Sequence, residues 1–278
     1  MFFIIFCRFA MGIAKNSMKI TAIQFDIVWE DPQKNIQICN ELIESTAQTD
    51  LIVLPEMFSS GFSTNPSQHV VESVSETIDW MKTTAKKNNA AICGSLIVSS
   101  NKKLYNSLCF VTPQGNVTYY NKKHLFGHGG EAEFFSSGKE LVTIKYSGIK
   151  IRPMICYDLR FPVWTRNTYS RVEKSFAYDL LIFVANWPEK RIHHWEKLLQ
   201  ARAIENQAYV CGVNRVGDDK NGIHYSGSTM IVDPMGDILC KAADNKADVI
   251  TTIMDTEFLQ LIRNKLAFAS DWDSFNII

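Results

Sequence analysis

From Lys19 onward the chain alternates short apolar runs with helical patterns, and this alternation limits the fold more than any other feature of the sequence. Lys19-Ile-Thr-Ala-Ile-Gln-Phe25 reads as part of a strand over 19–26. Asp31 to Thr46 reads as a helix capped by Asp31 with Pro32 in its first turn, and residues 50–55 as the next strand. A second helix is predicted from Val71 to Asn88. Ala90 to Ser99, Leu104 to Thr112 and Val117 to Lys122 form a β-meander, punctuated by Asn101-Lys-Lys and Pro113-Gln-Gly115. Beyond a glycine-rich loop at 127–138, strands are expected at 141–146, up to Cys156, and at 179–185, 209–214, 228–232, 238–242 and 249–254. Helices are expected from Cys156 to about residue 176, over His194 to Gln207 and around Phe258 to Lys265. So many strands, with helices both early and late, fit two sheets packed face to face with helices outside them.

With 278 residues and 46% apolar composition, the chain can bury a sizeable core and is read as one domain. Twenty-nine basic residues balance 29 acidic ones, and no basic block interleaves with aromatics, so nucleic acid is not an expected partner. Seven cysteines without Cys-x-x-Cys spacing indicate neither a disulfide framework nor a zinc cluster, and point to the reducing cytoplasm. The adjacent His193 and His194 cannot share one helical face, so no metal is expected. Met1-Phe-Phe-Ile-Ile-Phe-Cys7 is too short for a membrane span and is followed by Arg8, which argues against both a membrane anchor and a signal peptide. Because Met18 opens the first convincing strand, residues 1–17 are expected to be a non-native or disordered extension, with the domain at 18–278.

Three strand ends carry chemistry. Ile149-Lys-Ile-Arg-Pro-Met-Ile-Cys156 ends in a thiol followed by the turn-like Tyr157-Asp-Leu-Arg160, the setting of a nucleophile on a sharp elbow. Leu51-Ile-Val-Leu-Pro55-Glu56 delivers a carboxylate to a strand end, where a buried setting suits it to take the thiol proton. Tyr120-Asn-Lys122-Lys-His124-Leu-Phe126 supplies a cation for a developing oxyanion, with the backbone N–H of Tyr157 as second donor. Singly each has a plain explanation: a solvated charge, a hairpin lysine, an inert core thiol. Their conjunction is what points to a Glu-Lys-Cys set.

That conjunction resembles the nitrilase superfamily, the carbon-nitrogen hydrolases, over about residues 18–275. Pro55-Glu56-Met57-Phe58 with Gly61-Phe62 resembles the family's glutamate motif, Lys122-Lys-His-Leu-Phe126 its lysine motif, and Cys156-Tyr-Asp-Leu-Arg160-Phe-Pro162 its cysteine motif. The family pattern selects Lys122 over Lys123, and Glu131 after Gly129-Gly130 resembles its second, structural glutamate. Ala185-Asn186-Trp187-Pro188, Ala201-Arg-Ala-Ile-Glu-Asn-Gln207 and Asn214-Arg-Val-Gly217 are most similar to the bacterial omega-amidase branch.

The resemblance implies a four-layer αββα sandwich, no cofactor, and hydrolysis of the terminal amide of 2-oxo dicarboxylic acid monoamides such as 2-oxoglutaramate and 2-oxosuccinamate. Glu56 would act as base and then acid, Cys156 as nucleophile, and Lys122 with the Tyr157 N–H as oxyanion donors, while Glu131 orients Lys122 or the substrate. Lys122 is also expected to lower the pKa of Cys156. Arg160 matches an arginine that meets a substrate carboxylate in the related carbamoylase branch, although an ion pair with Asp158 explains it equally well. Asn186 and Trp187, ending a strand at the same edge, are candidates to line the pocket. The family also implies a homodimer or higher homo-oligomer, for which the aromatic segment Phe268 to Phe275 is a candidate surface. The alternatives are a nitrilase or N-carbamoyl amidohydrolase with the same triad, a cysteine hydrolase using His124 as base, and an inactive binding protein on this fold.

Overall fold

The computed structural model describes residues 17–276. The extension expected at 1–17 therefore lies outside the described residues except for Ser17, which already belongs to the first strand. β1 (Ser17–Gln24), α1 (Pro32–Glu44) and β2 (Leu51–Val53) open the fold. After α2 (Gln68–Glu72) and α3 (Val74–Asn88) come β3 (Ala91–Ser100), β4 (Lys103–Val111) and β5 (Val117–Asn121). A single-turn helix, α4 (Glu131–Phe134), precedes the hairpin of β6 (Ile144–Tyr146) and β7 (Ile149–Ile155). Next are α5 (Pro162–Thr165), a small hairpin of β8 (Tyr169–Ser170) and β9 (Ser175–Phe176), β10 (Leu180–Ala185) and α6 (Ile192–Asn206). The chain closes with β11 (Tyr209–Asn214), β12 (Val216–Asp218), β13 (His224–Ser226), β14 (Met230–Val232), β15 (Ile238–Lys241), β16 (Asp248–Asp255) and α7 (Thr256–Lys265).

Two six-stranded sheets result, ordered β16-β1-β2-β3-β4-β5 and β15-β14-β11-β10-β7-β6. Their central strands are buried on both faces, which is why they read as continuous apolar runs rather than as alternating ones. In the first sheet Leu51, Val53, Ala91 and Cys93 join the inter-sheet core with Ile151, Leu180 and Ile182 of the second. The intervening Ile52 and Ile92 turn the other way, onto Cys39 and Ile43 of α1 and Met81 and Ala85 of α3. On the far side α6 packs on β11 so closely that a Cβ at Gly212 would lie 2.4 Å from Leu199. Helices thus cover both outer faces, and the architecture is the αββα sandwich. Among the described residues no helix is long and apolar enough to cross a membrane.

Most elements lie where the sequence places them, with one substantial correction. The helix expected from Cys156 to about residue 176 is instead a 3-10 turn over Cys156–Arg160, the single turn α5, and the β8–β9 hairpin. Side-chain competition accounts for this: Asn167 Oδ1 accepts from Tyr178 N and Thr168 N, and Asn167 Nδ2 donates to the carbonyls of Tyr178 and Asn206. Those bonds fix an extended backbone that a helix could not share. The strand expected at 141–146 also shrinks, to Ile144–Tyr146.

For function the important result is a shared edge. β2 and β3 run parallel in one sheet, β7 and β10 in the other, with Ile155 beside Val184. Residues just past β2, β7 and β10 are Glu56, Cys156 and Asn186.

Candidate active site

Glu56 follows β2 after Leu54 and Pro55, which continue the pairing with β3 through Leu54 N to Cys93 O and Ser95 N to Pro55 O. Its side chain is fully buried and every oxygen has donors. Oε1 accepts from Lys122 Nζ at 2.9 Å and Asn106 Nδ2 at 2.8 Å, while Oε2 accepts from Asn186 N at 2.7 Å and Asn186 Nδ2 at 3.3 Å. Lys122, one residue past β5, is equally buried. Its Nζ also donates to Glu131 Oε2 at 2.9 Å and Oε1 at 3.1 Å.

Glu131 reaches this centre because α4 begins immediately after Gly130, whose φ of 77° turns the loop inward. Its Oε2 accepts from Phe126 N at 2.7 Å and its Oε1 from Asn106 Nδ2 at 3.0 Å. Asn106 is aimed in turn by Ser95, whose hydroxyl donates to Asn106 Oδ1 at 2.8 Å and accepts from Met57 N at 2.8 Å. One ammonium thus sits between two carboxylates, and each of these three charged groups has hydrogen-bond partners, the condition under which buried charge is tolerated.

Cys156 has φ of 41°, in the left-handed region that non-glycine residues rarely occupy. Such backbone costs on the order of 1–3 kcal/mol and persists where surrounding structure enforces it. Here Asp158 does so: its Oδ2 accepts from Ile155 N at 3.1 Å and from the Tyr120 hydroxyl at 2.7 Å, and its Oδ1 from His124 N at 3.0 Å. The thiol faces the carbonyl of Asn186 at 3.9 Å. Asn186 therefore touches both groups, holding the Glu56 carboxylate with its N–H and meeting Cys156 Sγ with its C=O.

Burial pushes the Cys156 thiol well above the ordinary cysteine range, Glu56 pushes it further, and Lys122 opposes them without prevailing. The lowering expected from Lys122 is present, but burial and Glu56 outweigh it and the net shift is upward. At Lys122 burial pulls the ammonium pKa down, but Glu131 and then Glu56 more than offset it, so the lysine is held above its usual range.

The remaining sequence candidates fall around this centre. Tyr157 follows Cys156 in the first turn of the 3-10 segment, where N–H groups have no intrahelical acceptor. Its ring packs edge-on against Phe126 and Phe161 at 5.2 and 5.1 Å. Trp187 is buried, and the Arg160 guanidinium lies over its ring at 4.6 Å. Arg160 does not pair with Asp158, whose oxygens are taken by Ile155, Tyr120 and His124; it meets His194 Nδ1 at 3.2 Å. His124 is not set against the thiol: its Nδ1 lies 2.8 Å from Asp158 Oδ1 and its ring stacks on Phe161 at 3.6 Å. Trp164 donates to the Tyr120 hydroxyl at 2.9 Å.

Sequence reasoning missed Asn106, Ser95 and Tyr120, and named Asp158 only as a partner for Arg160. The first two are polar residues inside otherwise apolar strands, the one signal that marks them.

Comparison with known proteins gives a consistent answer. The carbon-nitrogen hydrolase family pattern matches residues 19–264. Omega-amidase YafV of Yersinia enterocolitica is 41% identical over 95% of this chain and 100% of its own length. The 2-oxoglutaramate amidase of Bacillus subtilis (strain 168) is 34% identical over 80% of this chain and 85% of its own. Among solved structures, a CN-hydrolase superfamily protein from Xanthomonas campestris, crystallised with an arsenic adduct in its active site, superposes with a TM-score of 0.88. It is 36% identical, covering 95% of this chain and 100% of that one.

Proposed function

We propose that this chain, which belongs to the carbon-nitrogen hydrolase family, hydrolyses the terminal amide of 2-oxo dicarboxylic acid monoamides to the 2-oxo acid and ammonia. The observation that carries the reading is the buried Glu56–Lys122–Glu131 centre joined to the Cys156 elbow through Asn186. The names of the omega-amidase and 2-oxoglutaramate amidase relatives support the substrate class.

Glu56 takes the thiol proton as Sγ attacks the amide carbon, so a neutral, buried thiol becomes nucleophilic only alongside its base. The oxyanion is met by Lys122 and the Tyr157 N–H. Lys122 can give up its 3.1 Å contact to Glu131 Oε1 for this purpose, because Asn106 Nδ2 still serves that oxygen at 3.0 Å. Glu56 returns the proton to the departing nitrogen and ammonia leaves a thioester on Cys156. Water then gives a proton to Glu56 and its hydroxide adds to the thioester, releasing the acid and, with the proton handed back, the thiol.

Asn186 Nδ2 is fixed on the Glu56 carbonyl at 2.8 Å, and its Oδ1 is buried without a hydrogen-bond partner. That leaves an acceptor suited to the amide N–H of a substrate. Trp187 forms the wall under Arg160, and Arg160 takes the carboxylate at the far end of the substrate. The chain acts in the cytoplasm, a reading supported by the free cysteines among the described residues. It works as a homodimer or larger homo-oligomer, supported by the exposure of Val163, Ile204, Phe268 and Phe275.

Ammonia release from 2-oxoglutaramate, a nitrile and an N-carbamoyl amino acid tests the assignment. The expected result is turnover of 2-oxoglutaramate that Cys156→Ala reduces to background. Preference for the nitrile or the carbamoyl substrate would move the chain to another branch, and an active Ala variant would overturn the mechanism.

A further inference from the structure

A second guanidinium lies beside the residues that surround the candidate site. Arg191 ends the 3-10 turn Glu189–Arg191 that follows β10 and leads into α6. Its carbonyl accepts Trp187 Nε1 at 2.8 Å, which ties its backbone to the residue whose ring lies under Arg160. Its guanidinium lies 5.7 Å from the Phe126 ring centroid, and Phe126 packs on Tyr157, the residue next to the nucleophile. Both arginines are thus linked to Trp187, Arg160 through its guanidinium and Arg191 through its carbonyl, and both are half-buried.

Elsewhere in the molecule Arg202, Arg215 and Arg263 pair with Glu205, Asp26 and Asp179. Among the described residues, neither Arg160 nor Arg191 has a carboxylate within ion-pairing distance. Burial and then the charge of Arg191 lower the Arg160 pKa, so the two cations feel each other. Two partly desolvated like charges without a counter-ion are costly, and an anion between them removes that cost.

We infer that Arg191 is a second specificity-determining residue that, with Arg160, clamps the terminal carboxylate of the amide substrate. The inference rests on the amidase reading above and adds a residue to it. Two planar forks on one carboxylate select substrates by the anionic end, independently of the chemistry at Cys156.

Kinetics of wild type, Arg191→Met and Arg191→Lys on 2-oxoglutaramate and on pentanamide, which lacks the carboxylate, test it. Met keeps an apolar stem against Phe126 and removes the charge. The ratio of kcat/KM for the two amides is expected to fall about tenfold or more in Arg191→Met, mainly through KM, and to recover in part in Arg191→Lys. A merely structural role lowers both amides by the same factor, and an unchanged ratio overturns the inference. Calorimetry with 2-oxoglutarate in a Cys156→Ala background, with and without Arg191→Met, reads the clamp without turnover. Weakening of about tenfold supports it, and equal binding overturns it. Should wild type release no ammonia from either amide, the amidase reading fails while the calorimetric comparison still decides the role of Arg191.

Discussion

Replacing Glu131 by glutamine keeps its shape and removes one charge from the buried centre. The carboxylate accepts four contacts: Lys122 Nζ on each oxygen, Asn106 Nδ2 on Oε1 and Phe126 N on Oε2. An amide has one acceptor oxygen, so either orientation turns an NH2 group toward two donors. Breaking one partner out of a buried ionic network costs about 3–5 kcal/mol. For a domain of this size about 1 kcal/mol moves Tm by roughly 2–4 °C, so the expected loss is about 6–20 °C. Lys122 loses one of the two carboxylates that align it, and kcat should fall about 100- to 1000-fold, the scale for loss of an oxyanion contact. Glu131 is also the largest influence raising the Lys122 pKa against burial. A group whose folded pKa is raised stabilises the fold fully below its unfolded pKa and loses that contribution as pH rises through the folded value. Without Glu131 the folded value falls, so alkaline inactivation should begin at lower pH than in wild type. Thermal unfolding and ammonia release across the alkaline range measure both effects. A Tm within about 2 °C of wild type, with kcat unchanged, would refute the charge-partner argument.

Glu56→Gln is expected to abolish ammonia release and yet make Cys156 ionise at lower pH, because after burial the Glu56 charge is what raises that thiol. Thiolate ultraviolet absorbance, taken as the difference from Cys156→Ala, reads the shift; movement upward or none would contradict the assignment. Light scattering of the full chain should give the mass of two or more subunits, and a monomer at micromolar concentration would remove the oligomer.

Much of the centre was legible because its chemistry stands at strand ends. Glu56 and Cys156 each follow an apolar run where a buried strand must emerge, Lys122 follows the edge strand β5, and Glu131 follows a glycine pair that lets a loop turn inward. Asn106 and Ser95 were not legible, since a polar residue inside a strand reads as a solvent-facing position until register places both strands beneath a buried carboxylate. Asp158 was named only as a rival partner for Arg160, yet its oxygens tie the elbow to Tyr120 and His124 of the lysine segment and to Ile155 N, and no spacing rule predicts that. The polar stretch after Thr165 looked helical because Asn167 spends its side chain on the backbone of Tyr178, a bond made across eleven residues. Arg191 sat unremarked among the charges of Glu189-Lys190-Arg191, a run that reads as solvated surface.

The raised thiol pKa changes how the nucleophile has to be understood. A cysteine near a lysine suggests a standing thiolate, but here desolvation and two carboxylates outweigh one ammonium. The ammonium is engaged by those same carboxylates at 2.9 Å, so most of its field is spent before it reaches the sulfur. A standing anion at Cys156 would add a third negative charge to a site with a single cation. In the proposed mechanism, proton transfer to Glu56 instead moves charge within the site without increasing it, and the negative charge passes on to the oxyanion facing Lys122. The fold makes this possible by ending strands of opposite sheets at one edge, where Asn186 touches Glu56 and Cys156, the proposed base and nucleophile, on the two sides of a single residue.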